Sequence, residues 1–452
     1  MERPLDYDRN HAIHRDLLRP LFESGPKFYG LLAALASLML WAIACWAYQI
    51  YNGLQVTGYN RPVMWASYET NFVFWVGISH AGTLISAILR VTGTEWRRPI
   101  TRCAEAITTF ALMIGPMFIL IHLGRVWHFY WVIPYPSERG LWPNFRSPLL
   151  WDFSCINTYL LGSLTYLYLP MIPDLALIRD IAPRRQWLYR MLSLGWRGTE
   201  RQWRLLERAI SVMALIIMPL AVSVHTVVSW VFAMTIQPMW HSTIFGPYFV
   251  VGAIYSGIAA VLLAMWCFRR AYRLEAYFKP IHFNNLGLLL LTFSFLWFYF
   301  TFAEYMTSWY GNAPEELTVF WYKLVGPLAP QFWGMIICCF IIPVPILAVR
   351  GFRTPFGVML ASVFVLFGMW LERYTIIIGT MANPRLPFNR GFYSPSLTEI
   401  SIMIGAFAYF AFLFIVFSKI FPIVSIWEIK EGYRLEEGAK DFSPGTVSEV
   451  ES

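Results

Sequence analysis

The sequence predicts an all-α polytopic membrane protein of about ten transmembrane helices, and three observations carry that prediction. Of its 452 residues, 57% are hydrophobic and 14% charged, where a soluble domain carries roughly a quarter charged residues. The apolar residues gather into runs of about 20, the length a helix needs to cross a bilayer. Arginine and lysine collect on alternate connections between those runs, as the positive-inside rule requires. The 18% aromatic content suits belts of Trp and Tyr at both interfaces.

In chain order the apolar runs place spans at 29–51, 68–91, 104–125, 150–171, 209–234, 244–268, 286–309, 332–350, 355–378 and 397–421. Segment 1–28 carries Arg3, Arg9, Arg15, Arg19 and Lys27. It is polar and lacks the apolar core and small-residue cleavage site of a secretory signal, so the first span is expected to stay as an anchor. The second connection holds Arg97, Arg98 and Arg102, and the sixth Arg269, Arg270, Arg273 and Lys279. The fourth is the richest, with Arg179, Arg184, Arg185, Arg190, Arg197, Arg201, Arg204 and Arg208. Opposite connections are poorer: Arg61 after the first span, none after the fifth, Lys323 after the seventh. Arg139 with Arg146 in the third and Arg385 with Arg390 in the ninth are less clean but do not outweigh the rest. An even number of spans with both termini cytoplasmic satisfies this pattern.

The arginine-rich fourth connection divides the chain. The reading is a peripheral helix (29–51), a first four-helix bundle (68–234), a second (244–378), a second peripheral helix (397–421) and a cytoplasmic tail (422–452). HFYWVIP and YPSERGLWP after the third span echo SWYGNAPEE after the seventh, which hints at related halves. The end after Lys430 is acidic, small and polar, and reads as a flexible or partner-bound extension. The net charge of +8 sits mostly on the basic connections, where it sets topology and meets anionic lipid, with no nucleic acid needed. The six cysteines form neither CxxC nor CxxCH. They read as small hydrophobes, so no covalent haem and no iron–sulfur cluster is expected on this chain.

Ionisable residues inside spans are costly and mark function. His122 closes the third span and Asp152 opens the fourth, so both fall at the outer end of the first bundle. An imidazole beside a carboxylate accepts and passes protons near neutral pH, which suits oxidation of a quinol. The aromatic surroundings Trp127, Tyr130, Trp131, Trp142 and Trp151 could form a slot for a flat ring. The competing reading makes both residues interfacial, bonded only to backbone. Glu69 and Tyr68 open the second span at the same level, and Arg125 and His128 follow His122. Snorkelling explains Arg125 equally well, and Arg139 and Arg146 read as loop-ordering contacts.

His80 lies 11 residues after Glu69, about 16 Å along the axis at 1.5 Å per residue, near mid-membrane. His80 and His225 serve either a proton path or helix–helix adhesion. His241 precedes the sixth span. Glu304 closes the seventh, and Glu372 with Arg373 nears the end of the ninth. Glu372 and Arg373 are adjacent and are expected to point apart, with Glu304 meeting one of them across the bundle. All three are proton-path candidates, with structural ion pairing as the alternative. The inner halves of the spans are expected to hold little comparable chemistry, and no metal site is expected.

The segments WASYETNFVFWVGISHAGTLISAILR, FILIHLGRVWHFYWVIPYP, WPNFRSPLLWDFSCINTYLLGSLTYLYLPMIPD, VSVHTVVSWVFAMTIQPMWHSTIFGPYFVVGAIYSG and FAEYMTSWYG resemble the NrfD/PsrC family of membrane quinone-binding subunits. Within it they are most similar to the ActC-type subunits of bacterial alternative complex III. The resemblance spans nearly the whole chain. It implies two four-helix bundles with flanking peripheral helices in a bacterial cytoplasmic (inner) membrane. A menaquinol or ubiquinol site near the periplasmic face would have His122 and Asp152 on the quinol-binding positions, with Glu69, Tyr68 and His128 nearby. It further implies as partners an ActB-like iron–sulfur protein, multihaem and monohaem cytochrome c subunits, an ActF-like second subunit of the same fold and small membrane subunits. Proton translocation is a further expectation.

Three other readings stay open. A membrane anchor of a molybdopterin oxidoreductase would reduce quinone instead. A secondary transporter would show matched broken helices in both halves, for which GPMF and IIPVPI are the only interruptions noted. A purely structural anchor would do no chemistry.

Overall fold

The computed structural model describes residues 4–133, 147–182, 185–386 and 390–441. Among these, regular structure is helical throughout, and ten helical stretches are long and apolar enough to cross a membrane. Helix α1 (Pro4–Phe22) precedes the first span, α2 (Pro26–Asn52). Then come α3 (Ser67–Val91), α4 (Thr101–His122), α5 (Pro148–Tyr168), α6 (Ile172–Ile181) and α7 (Gln186–Leu192). Helices α8 (Glu200–Ala233), α9 (Phe245–Ala271), α10 (Pro280–Gly311) and α11 (Pro314–Leu324) follow. The eighth span is built from α12 (Ala329–Ile336) and α13 (Pro343–Ala348), and α14 (Pro355–Met381), α15 (Leu397–Ile420) and α16 (Ile426–Asp441) complete the chain.

Helices α3, α4, α5 and α8 pack together, and α9, α10, α12–α13 and α14 form a second group. The two groups meet chiefly where α3 and α8 lie against α9 and where α3 lies against α14. The first and last spans, α2 and α15, pack against each other. Close approach depends on small residues, as between membrane helices generally. A Cβ on Gly82 would lie 2.0 Å from the Ala104 carbonyl oxygen of α4, and one on Gly257 of α9 would lie 2.2 Å from the Ala81 Cβ.

Four features differ from the sequence expectation. The arginine-rich fourth connection is mostly helical, because α6 extends the fourth span and α8 begins at Glu200. Its start is a capping box in which Thr199 Oγ1 accepts from the Gln202 amide and Gln202 Oε1 accepts from the Thr199 amide. The segment 1–28 holds an amphipathic helix, with Ile13, Leu17, Leu18 and Leu21 buried. Of the two noted interruptions, Pro116 sits inside an unbroken α4, whereas the eighth span breaks into a π-turn at Ile337–Ile341 before Pro343. The described residues therefore carry no matched pair of breaks of the kind a transporter reading looked for.

The fourth difference concerns residues 426–441, which form α16 and dock by their first turns on the arginine-rich end of the first bundle, whereas residues 442–452 of the expected extension lie outside the described residues. Glu428 is buried and paired with Arg90 and Arg97, and Arg98 reaches both the Glu428 carbonyl (3.1 Å) and Glu431 (2.5 Å). Arg102 pairs with Asp174 at 2.6 Å, both buried. Asp174 also accepts the Ile426 and Trp427 amides at 3.0 and 3.1 Å, capping α16. Nearby, Ser86 donates to Glu105 across α3 and α4 at 2.6 Å. The expectation that this end would hold little ionisable chemistry is thus overturned. These side chains sit beside span termini, where sequence alone reads them as solvated loop charges.

Burial alone would raise the Glu428 carboxyl, but Arg90, Arg97, Arg102 and Arg98 more than offset it and hold it below its ordinary 4.5. A depressed carboxylate stabilises fully above the unfolded value and loses that contribution as pH falls through the lower folded one. Helix α16 should therefore stay protease-resistant at about pH 5 and loosen only well below it. Glu428→Gln should expose α16 to proteolysis at neutral pH, since breaking a buried ion pair costs about 3–5 kcal/mol. Full protection in that variant would show that Ile426 and Ile429 hold the helix by apolar packing alone.

Candidate functional site

The opposite end of the first bundle gathers polar side chains from four segments. Glu69 and Tyr68 lie in the first turn of α3, His122 is the last residue of α4, Gln49 lies in the last turn of α2, and Tyr59 sits on the connection between α2 and α3. His122 Nδ1 lies 3.5 Å from Glu69 Oε2 and 3.3 Å from the Tyr59 hydroxyl. Burial first, and the Glu69 charge second, push the Tyr59 phenol well above its ordinary 10.0. It stays a neutral donor. One imidazole nitrogen therefore faces a hydroxyl and a carboxyl, an arrangement that can take up or release a proton.

The Tyr68 hydroxyl donates to Gln49 Oε1 at 2.5 Å, and Gln49 Nε2 donates to the Ile121 carbonyl at 2.9 Å. The fully buried Gln49 thereby ties the first span to α3 and α4. Glu399 performs a similar task from α15. Its two oxygens accept from Ser67 Oγ (2.6 Å), the Tyr393 hydroxyl (2.5 Å), the Gly58 amide (2.7 Å) and the Ser396 amide (2.8 Å). That carboxylate fixes both the start of α3 and the loop carrying Tyr59.

Asp152 opens α5, just after Pro148 at its first turn, and is buried on the inward stripe that also carries Ile156, Tyr159, Ser163 and Tyr166. Its Oδ1 is buried without a hydrogen-bond partner among the described residues. His122 contacts Glu69 and Tyr59 rather than Asp152, so the two residues singled out from sequence share an end of the bundle without bonding to each other. His128 lies on a short 3-10 turn and stacks on Trp131, ring centroids 4.1 Å apart, outside the Glu69–His122 contact. Trp151 packs edge-on against Trp230, and Trp127 is exposed. Trp142, Arg139, Arg146 and Arg184 lie outside the described residues. His241 is exposed in the connection before α9, with Nδ1 3.2 Å from the Thr235 carbonyl.

Deeper in the bundle, His80 Nδ1 lies 2.5 Å from the Val76 carbonyl, which can only accept. Nδ1 therefore carries the proton, and Nε2 is left as a bare, buried lone pair. The His80 ring stacks on Tyr159 at 4.9 Å and meets His225 of α8 at 4.5 Å. Both ring nitrogens of His225 are buried without partners among the described residues.

In the second group, Glu372 and Arg373 form an ion pair despite being adjacent, which corrects the expectation that they point apart. Trp297 donates to Glu372 at 2.5 Å, and the Arg373 guanidinium lies over the Phe249 ring. Glu304 accepts from Ser242 at 2.9 Å and feels the charge of Lys323, instead of meeting Glu372 or Arg373. Burial pushes the Lys323 ammonium down from 10.5 to about 8, with Glu304 opposing the shift.

Sequence reasoning missed Tyr59, Gln49, Glu399 and Lys323. Only Glu399 carried a readable signal, the S-x-x-E capping box from Ser396.

Fold and site together define a polytopic membrane protein with a half-buried acid–imidazole cluster at one end of its first bundle. Residues 55–384 match the family described as Polysulphide reductase, NrfD. The chain belongs to the NrfD family. It is 30% identical over 247 residues to a Halobacterium salinarum protein provisionally named as a membrane subunit of a dimethyl sulfoxide reductase, a match covering 54% of this chain and 53% of that one. The chain thus spans about half the length of that relative. It is 20% identical over 426 residues to an Archaeoglobus fulgidus Hdr-like menaquinol oxidoreductase integral membrane subunit, covering 90% of this chain and 96% of that one.

Stability should separate the two kinds of buried polar residue. Glu399→Ala strands several donors and should cost about 3 kcal/mol or more, since each buried group left unmet costs about 1–3 kcal/mol. His225→Leu removes two unmet nitrogens and should leave thermal stability unchanged or higher. A large loss of melting temperature for His225→Leu would show that the imidazole is a structural tie.

Proposed function

We propose that this chain is the quinol-binding membrane subunit of a quinol:electron-acceptor oxidoreductase of the alternative complex III type, with its site near the periplasmic face. The observation that carries the reading is the half-buried Glu69–His122–Tyr59 cluster at the same end of the first bundle as Asp152, whose buried Oδ1 has no hydrogen-bond partner among the described residues. Oxidation of a quinol releases two protons and two electrons. His122, relayed by Glu69, takes one hydroxyl proton, while the free Asp152 oxygen accepts the hydrogen bond and then the proton of the other. Tyr59 remains a donor that orients His122. The electrons leave to iron–sulfur clusters of an ActB-like partner and onward to c-type haem subunits. The relative named as a menaquinol oxidoreductase subunit supports this class of substrate.

The nitrogens of His80 and His225 left without partners among the described residues, with Arg373 over the Phe249 ring that neighbours His225, supply a candidate proton route away from the site. The arginine-rich end supports a cytoplasmic position for both termini. The relative named for dimethyl sulfoxide reductase is compatible with the same direction, because reducing a sulfoxide consumes two electrons of the kind a quinol gives up. A second reading, a membrane anchor of a molybdopterin oxidoreductase, runs the same residues in reverse and delivers protons to a quinone being reduced.

The test is quinol oxidation by the purified complex, comparing wild type with Asp152→Asn and His122→Ala at matched cluster and haem content. Turnover should fall by about a hundredfold or more, the usual scale for a lost proton-transfer group. Unchanged turnover in both variants would move the chemistry to another subunit. Net quinone reduction by the intact complex with its natural donor would instead select the second reading.

A further inference from the structure

A cavity of about 210 Å³ lies between α2, α4 and α15. Its walls are Met39, Ala42, Ile43 and Trp46 of α2, Ile114, Met117, Phe118 and Ile121 of α4, and residues of α15 that include Ile402 and Ala406. We propose that this slot holds the prenyl tail of the quinol whose ring sits at the Glu69–His122 cluster. The proposal rests on the functional reading above and adds the route by which a membrane-dissolved substrate reaches the ring site.

Three observations point to this occupant. The slot and the polar cluster share their boundary residues. Phe118 lines the slot and packs its ring against Tyr68 at 6.3 Å, while Ile121 lines it, accepts the Gln49 hydrogen bond and directly precedes His122. The slot therefore adjoins the end of the bundle that carries the Glu69–His122 cluster. Its lining is almost wholly apolar, as a hydrocarbon chain requires, and only Trp46 and Tyr409 among its lining residues carry a polar side-chain atom. Trp46 Nε1 is buried without a hydrogen-bond partner among the described residues one helical turn before Gln49, a donor at the side nearest the cluster where an oxygen-bearing ring would pass. Finally, α2 is the one wall held mainly by α15 and otherwise turned outward, with Leu40, Trp41 and Tyr48 exposed. That helix gives lateral access from the bilayer. The close contact of Ala42 with Gly405, where an added Cβ would lie 2.1 Å from the Ala42 Cβ, sets how near α2 and α15 approach beside the slot.

The proposal also gives Gln49 a task. It forms no part of the proton transfer, but its two bonds hold Tyr68 and the Ile121 backbone at the junction between tail slot and ring site.

The experiment fills the slot from two different helices, with Ala406→Phe on α15 and Met117→Trp on α4, in the assembled complex. KM is measured for a quinol with a long prenyl chain and for a tail-less quinol of the same ring. The ratio of the two KM values, taken on one preparation, does not depend on how much complex assembles. Both variants should raise KM for the tailed quinol about tenfold, equivalent to about 1.4 kcal/mol of lost tail binding. KM for the tail-less quinol should stay within about twofold, with kcat unchanged. An unchanged ratio in both variants would assign the slot to the acyl chain of a structural lipid and overturn the proposal. The underlying functional reading fails differently, if Asp152→Asn and His122→Ala oxidise the tail-less quinol at the wild-type rate. Loss of that activity together with a flat KM ratio would sink the tail slot alone.

Discussion

Helix α3 is enclosed on all sides by α4, α8, α9 and α14, and nearly every residue from Ser67 to Ala87 is buried. A helix screened from hydrocarbon can carry polar side chains that a lipid-facing helix cannot. Helix α3 accordingly bears Glu69, Asn71, His80, Thr83 and Ser86, each facing another helix. Asn71 accepts from Trp370 of α14, His80 meets His225 of α8, and Ser86 donates to Glu105 of α4. The same enclosure joins the two helix groups, so the acid–imidazole cluster and the Arg373 region are built on one rigid element. The small residues at Gly82 and Ala81 permit this closeness, and the polar contacts depend on it.

The two ends of α3 solve opposite problems. At the arginine-rich end, Glu428, Asp174 and Glu105 have their charges met by neighbouring guanidinium or hydroxyl groups, which locks α16 and α6 onto the bundle. A buried charge that loses its partner there is costly. At the other end and in the middle, Glu69 Oε2, Asp152 Oδ1, His80 Nε2 and both His225 nitrogens keep unused hydrogen-bonding capacity among the described residues. Buried groups left in that state lower stability. Glu69 and Asp152 lie at the end of the bundle, and His80 with His225 lie deeper inside it. The fully satisfied Glu399 sits between these regimes. It holds the loop of Tyr59 and the start of α3 still, so that the unsatisfied groups beside it keep their geometry.

Much of this protein was determined by sequence alone, because the bilayer imposes its rule residue by residue. A span must be about 20 apolar residues long, and arginines must collect on alternate connections, so all ten spans were legible, with bounds that miss by up to about ten residues where the helices run on into the fourth connection. The cost of ionisable groups in hydrocarbon likewise singled out His122, Asp152, His80 and His225 before any contact was known. What the tertiary structure decided was who meets whom. His122 turned to Glu69 and Tyr59 rather than to Asp152, Glu372 closed on its own neighbour, and Glu304 faced Lys323. Gln49 and Glu428 gained roles that neither position suggested. Pairing of this kind depends on the rotation of each helix about its axis and on which helices become neighbours. Both are set by small-residue contacts between distant segments, which no local pattern of hydropathy or charge records.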